Sequence, residues 1–492
     1  MKQVVVLHGW SDNSKSFKPL IAFLKKNGLR VTPLFLGDYQ SLRDDVQIED
    51  VAQRLEQVVR EKMARPPGAR DRLDRTFDLI VHSTGGLLAR WWIARYYRDK
   101  PCPVRNLLML APANFGSVLA HTGRTLVGRA FKGAKSGFEV GEEMLHALEL
   151  GSRFQMELAQ SDLFYPEEGA DNTILYGPDK TRPFVITGTH PYKQLTRKLV
   201  NENASDGTVR VAAANLNAEG VTIDFTRNLE NPTRTTWRKR GGAGLTFPLA
   251  VLPDRDHGNV IDPGDEGHTR LPAYQSRLGE LIIDALSTNT EQQYRAKVDA
   301  WQQITGDTRT YAGFSDAAVQ HRRDTFGRNE PSAEYFHEHF QLVVSAEDQF
   351  GQPVENYFVE FFPKAGLLHR FSNFGRLSNY FYDEVLEHTH TNRRDPSRQC
   401  MFIDRYDLMG KGGFYDQIRK DDNAKLLSFT AIASDPGSNV SYFAHGSPAK
   451  RGVIDLHGVL KRDRFLKRHT THFIRMIVPR VGDDSIFKLK RA

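Results

Sequence analysis

The chain has 492 residues, of which 39% are hydrophobic and 26% charged, with a net charge of +7. That length exceeds what one hydrophobic core organises, so two domains are expected. The modest positive charge comes without a recognition motif, which argues against nucleic-acid binding, and two cysteines, Cys102 and Cys400, are too few for a disulfide framework.

Directly after Met1-Lys2-Gln3, Val4-Val5-Val6-Leu7 reads as a buried strand that runs into His8-Gly9-Trp10. No leader precedes it and no apolar run is long enough to span a bilayer, so the expectation is a cytoplasmic protein, or one exported without a cleaved leader. The next strong signal is the apolar run Phe77-Asp78-Leu79-Ile80, followed by Val81-His82-Ser83-Thr84-Gly85-Gly86 and the helix-like Leu87-Leu88-Ala89-Arg90-Trp91-Trp92. A buried strand that turns sharply through a serine into a helix lifts the hydroxyl above a sheet and aims the helix N-terminus at it. Ser83 is therefore the candidate nucleophile. The backbone N–H groups of Trp10 and Thr84 are the candidate oxyanion hole. Such a strained turn wants small residues two positions either side of the serine. Gly85 meets that demand and Gly86 adds room, whereas the β-branched Val81 departs from it.

A further strand, Val104 to Leu110, leads into Leu110-Ala111-Pro112-Ala113-Asn114-Phe115-Gly116-Ser117. Residues 116–164 are too long for a plain connection. Leu119, Leu126, Val127, Ala130 and Phe131, then Met144, Leu145, Leu148, Phe154 and Leu158, recur at helical spacing. They describe either a mobile lid over an acyl cleft, hinged at glycines, or a fixed cap whose apolar stripe is core. Past the strand-like Phe184-Val185-Ile186-Thr187-Gly188, the turn Ser205-Asp206-Gly207-Thr208-Val209 offers Asp206 as the acid that orients an imidazole, with Asp179 and Asp224 as rivals. Leu245 to Leu252 then delivers Asp256-His257-Gly258, and His257 is the candidate base ahead of His190 and His268.

An amphipathic helix from Leu271 to Leu286 closes this region. Residues 288–334 read as a polar, partly helical connector with one helix around Tyr294 to Ile304. Residues 335–492 switch to short strands, the clearest being Leu342-Val343-Val344, Tyr357 to Phe362, Leu426 to Ala433, Val440 to Phe443 and Phe473 to Val478. With Asp348 to Pro353 as a hairpin turn, they read as an antiparallel β-sandwich. His337-x-His339 and His388-x-His390 have metal-compatible spacing, but no Cys or ordered acid accompanies them in sequence. They read as surface histidines, and no metal is expected. In the basic run Lys461, Arg462, Arg464, Lys467 and Arg468, the interleaved Phe465 and Leu466 suit insertion into an anionic membrane surface; a protein partner for this domain is the alternative.

The segments His8-Gly9-Trp10, His82-Ser83-Thr84-Gly85-Gly86, Ser205-Asp206-Gly207-Thr208-Val209 and Asp256-His257-Gly258 occur in the order serine, acid, histidine. Together they make residues 1–287 resemble an α/β-hydrolase of the lipase and esterase kind. That resemblance implies a mostly parallel sheet with helices on both faces and a Ser83, Asp206, His257 triad that forms an acyl-enzyme without any cofactor. It further implies a lipid-ester substrate, with small soluble esters or a catalytically silent binding role as alternatives. A lipase joined to a β-sandwich without a leader also resembles, in architecture alone, bacterial phospholipase effectors delivered by a contractile secretion apparatus.

Overall fold

Six apolar runs build one parallel sheet. In the computed structural model, which describes residues 2–7, 16–34, 45–120, 141–165, 171–192, 201–242, 244–267, 275–310, 333–363, 379–409, 413, 427–437, 439–443, 454–455 and 465–482, they are β1 (Gln3–Leu7), β2 (Arg30–Leu34), β3 (Phe77–His82), β4 (Val104–Leu110), β5 (Arg182–Gly188) and β8 (Leu249–Leu252). Their order is β2-β1-β3-β4-β5-β8, and every neighbouring pair is parallel. Parallel strands need long crossovers. Helices α1 (Lys18–Lys26), α2 (Ile48–Met63) and α3 (Gly85–Tyr96) lie on the connections between successive strands from β1 to β4. Covered on both faces, β1, β3 and β5 are buried at every position, which is why they read as continuous apolar runs rather than alternating ones. Strand order reverses between β1 and β3, and in such sheets the crevice beyond the carboxyl ends at that point is where ligands bind.

The chain divides into two compact units, residues 1–217 with 238–338, and residues 218–237 with 339–492. This differs from the division read from sequence, at 287 and 334. Helices α7 (Leu278–Ser287) and α8 (Glu291–Thr308) both pack into the first unit's core, where Tyr294 and Trp301 set their rings against Phe184 at 5.2 and 5.4 Å between centroids. Thr290 and Gln293 close a capping box that starts α8. So the helix expected around Tyr294 to Ile304 is residues 291–308 and packs as part of the first unit. Of the insertion at 116–164, helices α4 (Glu142–Leu148) and α5 (Arg153–Asp162) are fixed in the body of that unit. Ser117 N–H bonds Leu148 O at 2.9 Å, and Gln155 Nε2 bonds the carbonyls of Ala147 and Glu149 at 2.7 and 3.0 Å. Residues 121–140, with Leu126, Val127, Ala130 and Phe131, lie outside the described residues.

The second unit holds β6 (Glu219–Asp224), β7 (Thr233–Thr236), β9 (His339–Asp348), β10 (Tyr357–Pro363), β11 (Leu386–Thr391), β12 (Arg398–Asp404), β13 (Leu427–Ala433), β14 (Val440–Tyr442), β15 (Ile454–Asp455), β16 (Thr470–Val478) and β17 (Arg480–Gly482). A six-stranded sheet, β11-β12-β9-β16-β6-β7, and a three-stranded one, β10-β13-β15, share a core of Leu342, Val344, Ile403 and Met476 against Val359 and Phe361. The larger sheet is mixed rather than antiparallel, since β16 runs parallel to both β9 and β6. Asp348 to Pro353 forms the turn of a short hairpin, with Asp348 N–H on Gln352 O at 2.8 Å, an antiparallel bridge between Glu347 and Pro353 and Val354 N–H on Ala346 O at 3.0 Å, beyond which β10 enters the smaller sheet.

Phe465 and Leu466 belong to the core, at 6% and 4% exposure, because the strand after them needs apolar cover; they are not available to a membrane. Beside them Lys467 is ion-paired with Glu219 at 2.5 Å, whereas Lys461, Arg462 and Arg464 lie outside the described residues. The histidine pairs are not on an open sheet face either: His337, His339 and His390 are buried. Cys102 and Cys400 are free thiols. Among the described residues, no helix is long and apolar enough to cross a membrane.

Candidate active site

Ser83 follows the last residue of β3 and has a φ of +55°, in the left-handed region that costs a serine roughly 1–3 kcal/mol. Surrounding hydrogen bonds hold it there. Its N–H donates to Leu110 O at 3.1 Å, and its carbonyl accepts from Gly86 N–H at 3.0 Å and Ala113 N–H at 3.2 Å. Gly86 has no room for a side chain, since an added Cβ would lie 2.7 Å from Pro112 Cβ. Val81 is fully buried, pairs with Leu7 and Met109, and does not prevent the turn.

The three side chains singled out from sequence come together. Ser83 Oγ lies 3.0 Å from His257 Nε2, and His257 Nδ1 lies 2.8 Å from Asp206 Oδ2. All three are buried, at 3%, 2% and 0% exposure. The other Asp206 oxygen, Oδ1, accepts from the N–H groups of Thr208 at 2.9 Å and Val209 at 2.8 Å, and Asp206 O accepts from His257 N–H at 2.8 Å. A carboxylate fixed by two main-chain donors presents its remaining oxygen to the imidazole, which sets Nδ1 as the protonated nitrogen and leaves Nε2 to accept from the serine hydroxyl.

The acid turn is built for this. Ala204 and Gly207 have φ of +51° and +89°, and a Cβ on Gly207 would lie 2.6 Å from the Tyr192 ring. Ser117 Oγ donates to Thr208 O at 2.6 Å, and Phe115 N–H donates to Ala213 O on the short helix α6 (Val211–Ala214) at 2.9 Å, so the segment after β4 clamps the turn.

Thr84 is the N-cap of α3, where first-turn N–H groups have no partner within the helix. Its Oγ1 is buried without a hydrogen-bond partner among the described residues. Trp10, the other oxyanion candidate, lies outside the described residues, as does His268. Of the remaining rivals, Asp179 lines a cavity of about 760 Å³ together with Val104 and Arg182, the first residues of β4 and β5, at the far end of the strands from Ser83. Asp224 caps Thr226 in the second unit. His190 Nδ1 is engaged with Pro191 O at 2.8 Å.

Several supporting residues escaped the sequence reading. His82 Nε2–H donates to His257 O at 3.0 Å, and the two rings sit 4.7 Å apart. Arg255 is fully buried and bonds the carbonyls of Asp262 and Asp265 at 3.2 and 2.9 Å, which shapes the loop carrying His257. Arg90 on α3 makes a bidentate pair with Asp162 on α5, at 2.8 and 3.0 Å, with both side chains fully buried. The position of Arg90 within the apolar stretch Leu87 to Ile93 was the signal available.

Residues 3–164 match the family model described as palmitoyl protein thioesterase. No curated protein matches the chain. Among solved structures, phospholipase PlaB from Legionella pneumophila is similar over 100% of this chain and 96% of its own, at 22% identity and a TM-score of 0.74. The same protein in complex with thio-NAD gives a TM-score of 0.73. The Bacillus licheniformis lipase BlEst2 matches 53% of this chain and 86% of its own, at 16% identity and a TM-score of 0.34. The first unit has the α/β-hydrolase fold, the fold of serine ester hydrolases, and a β domain accompanies it.

Proposed function

We propose that this α/β-hydrolase cleaves carboxylic esters of lipids, as a lipase or phospholipase, through Ser83, His257 and Asp206. The observation that carries the reading is the line of contacts from Ser83 Oγ to His257 Nε2 and from His257 Nδ1 to Asp206 Oδ2, placed on a serine held at φ +55°. His257 takes the proton as Ser83 Oγ attacks the ester carbonyl, and Asp206 stabilises the imidazolium that results. The oxyanion is received by the N–H groups of Thr84 and Trp10, and collapse of the tetrahedral intermediate passes the proton from His257 to the departing alcohol. Water then enters, loses its proton to His257 and releases the acid from the acyl-enzyme.

The lipid character of the substrate is supported by the family model, whose name specifies a palmitoyl group on a thioester, and by the phospholipase of the same fold. The same site chemistry serves a fatty thioester, because both reactions pass through one acyl-serine.

The test is hydrolysis of p-nitrophenyl esters from short to long chain, alongside phosphatidylcholine and phosphatidylglycerol vesicles, by the wild type and Ser83→Ala. A lipid hydrolase prefers the long chains and loses on the order of 10³-fold or more in turnover with the variant. A preference for short chains makes it a soluble carboxylesterase. A variant as active as the wild type removes Ser83 from the mechanism.

A further inference from the structure

We infer that the second unit binds one divalent transition-metal ion of the zinc class through His339, Glu387 and Asp404. His339 is the first residue of β9 and Asp404 the last of β12, and the two are direct register partners. Both side chains are fully buried, and His339 Nε2 lies 3.4 Å from Asp404 Oδ2. Asp404 Oδ1 accepts from Tyr406 N–H at 2.7 Å and Asp407 N–H at 3.3 Å, which fixes the carboxylate with Oδ2 towards the imidazole.

The third donor arrives through an irregularity. The β11–β12 ladder shifts register between Leu386 and His388, so Glu387 is the extra residue of a bulge. Bulges re-aim a side chain that regular pairing would send elsewhere. Here one donor atom of each of His339, Glu387 and Asp404 lies within 4.8 Å of the other two. Strands β11, β12 and β9 are consecutive in the sheet, so the three residues meet at one end of three neighbouring strands.

The spacing and chemistry select the ion. Zinc–nitrogen and zinc–oxygen distances near 2.0–2.2 Å put neighbouring ligand atoms of a tetrahedral site about 3.3–3.5 Å apart. The His339–Asp404 separation of 3.4 Å is such an edge, and it is longer than the roughly 2.7–2.9 Å of a charge-assisted hydrogen bond. An imidazole nitrogen with two carboxylate oxygens suits zinc, whereas calcium and magnesium take oxygen donors only. Glu387 is only half-buried, which leaves a fourth position to water. Bound there, the ion ties three strand ends together and stabilises the second unit.

The experiment strips the 492-residue chain with a chelator and titrates it with zinc chloride, by calorimetry and by thermal denaturation, in parallel with Glu387→Gln, Glu387→Asp and calcium chloride. The wild type takes up one zinc more tightly than Glu387→Gln by at least about tenfold, since even groups outside the ligand shell are worth that much. Zinc raises its melting temperature, calcium does not, and Glu387→Asp, which keeps a carboxylate, binds better than Glu387→Gln. Equal zinc uptake by the wild type and Glu387→Gln overturns the proposal, and so does equal stabilisation by calcium. The metal-free melting temperature of each Glu387 variant is the reference from which its zinc-induced shift is read.

Discussion

A Cβ added to Gly188 would lie 1.8 Å from the carbonyl oxygen of Arg255. Gly188 ends β5, and the strand is laced straight onto the loop that carries His257: Thr189 N–H donates to Leu252 O at 3.1 Å and His190 N–H to Arg255 O at 3.0 Å. No flexible side chain separates the two backbones, so the substitution Gly188→Ala must push the loop outward. Overpacking of this kind costs about 1–3 kcal/mol, and a displacement near 1 Å in a reacting group costs roughly 10²-fold in rate. Gly188→Ala is expected to lower both melting temperature and ester hydrolysis, whereas Gly244→Ala, which has no neighbour within 4 Å, changes neither. Wild-type turnover in Gly188→Ala would detach this contact from the positioning of His257.

Asp206→Asn tests the acid without changing its size. The Thr208 and Val209 N–H groups demand an oxygen at Oδ1, so the new amide nitrogen turns towards His257 Nδ1. A donor there favours the imidazole tautomer with hydrogen on Nε2, which can no longer accept from Ser83. The expected loss is about 10⁴-fold in kcat, with KM little changed and the circular dichroism spectrum retained. A loss below tenfold would remove Asp206 from the proposed triad.

What the sequence made legible were features local to one strand and its following loop. Ser83, Asp206 and His257 each follow a strand-like run, and the direction of a parallel sheet sends all such loops to one end. Residues 218–237 gave no such cue, because the partner that claims them, β16, lies over two hundred positions away. Helix α8 passed for a connector because its buried side is only Tyr294, Trp301, Ile304 and Thr308. The acids beside His339 escaped for the same reason as β16: Glu387 and Asp404 reach it through strand pairing, and spacing along the chain carries no trace of that.

The buried Arg90–Asp162 pair ties the helix behind Ser83 to α5, with Tyr176 OH donating to Asp162 Oδ2 at 3.2 Å and Arg90 Nη1 to Asn114 O at 3.0 Å. Removing one charge from a fully buried pair strands the other, at about 3–5 kcal/mol. Asp162→Asn is expected to cost that much in denaturant unfolding of the first unit. The double variant Arg90→Met with Asp162→Leu recovers most of the loss, because the desolvation penalty disappears with both charges. Should the double variant be as unstable as Asp162→Asn, the pair's role is geometric rather than electrostatic.

His472 on β16 makes the second unit sensitive to acid. Its Nδ1–H donates to Gln341 O at 3.2 Å and its Nε2 accepts from Lys467 N–H at 2.9 Å, an arrangement that only the neutral imidazole satisfies. Burial outweighs the opposing pull of Glu219 and takes its pKa from 6.5 down to about 4. The unfolded chain therefore binds more protons than the folded one between those values, and stability falls as pH drops from 6.5 towards 4. At about 1.4 kcal/mol per pKa unit, the contribution lost by pH 4.5 is on the order of 2 kcal/mol. His472→Asn, which keeps a donor towards Gln341 but does not titrate, is less stable at pH 7 yet loses less between pH 6.5 and 4.5. Hydrogen exchange of the β16 amides across that range, in the wild type and the variant, reads the difference, and parallel pH dependences would place the acid sensitivity in other groups.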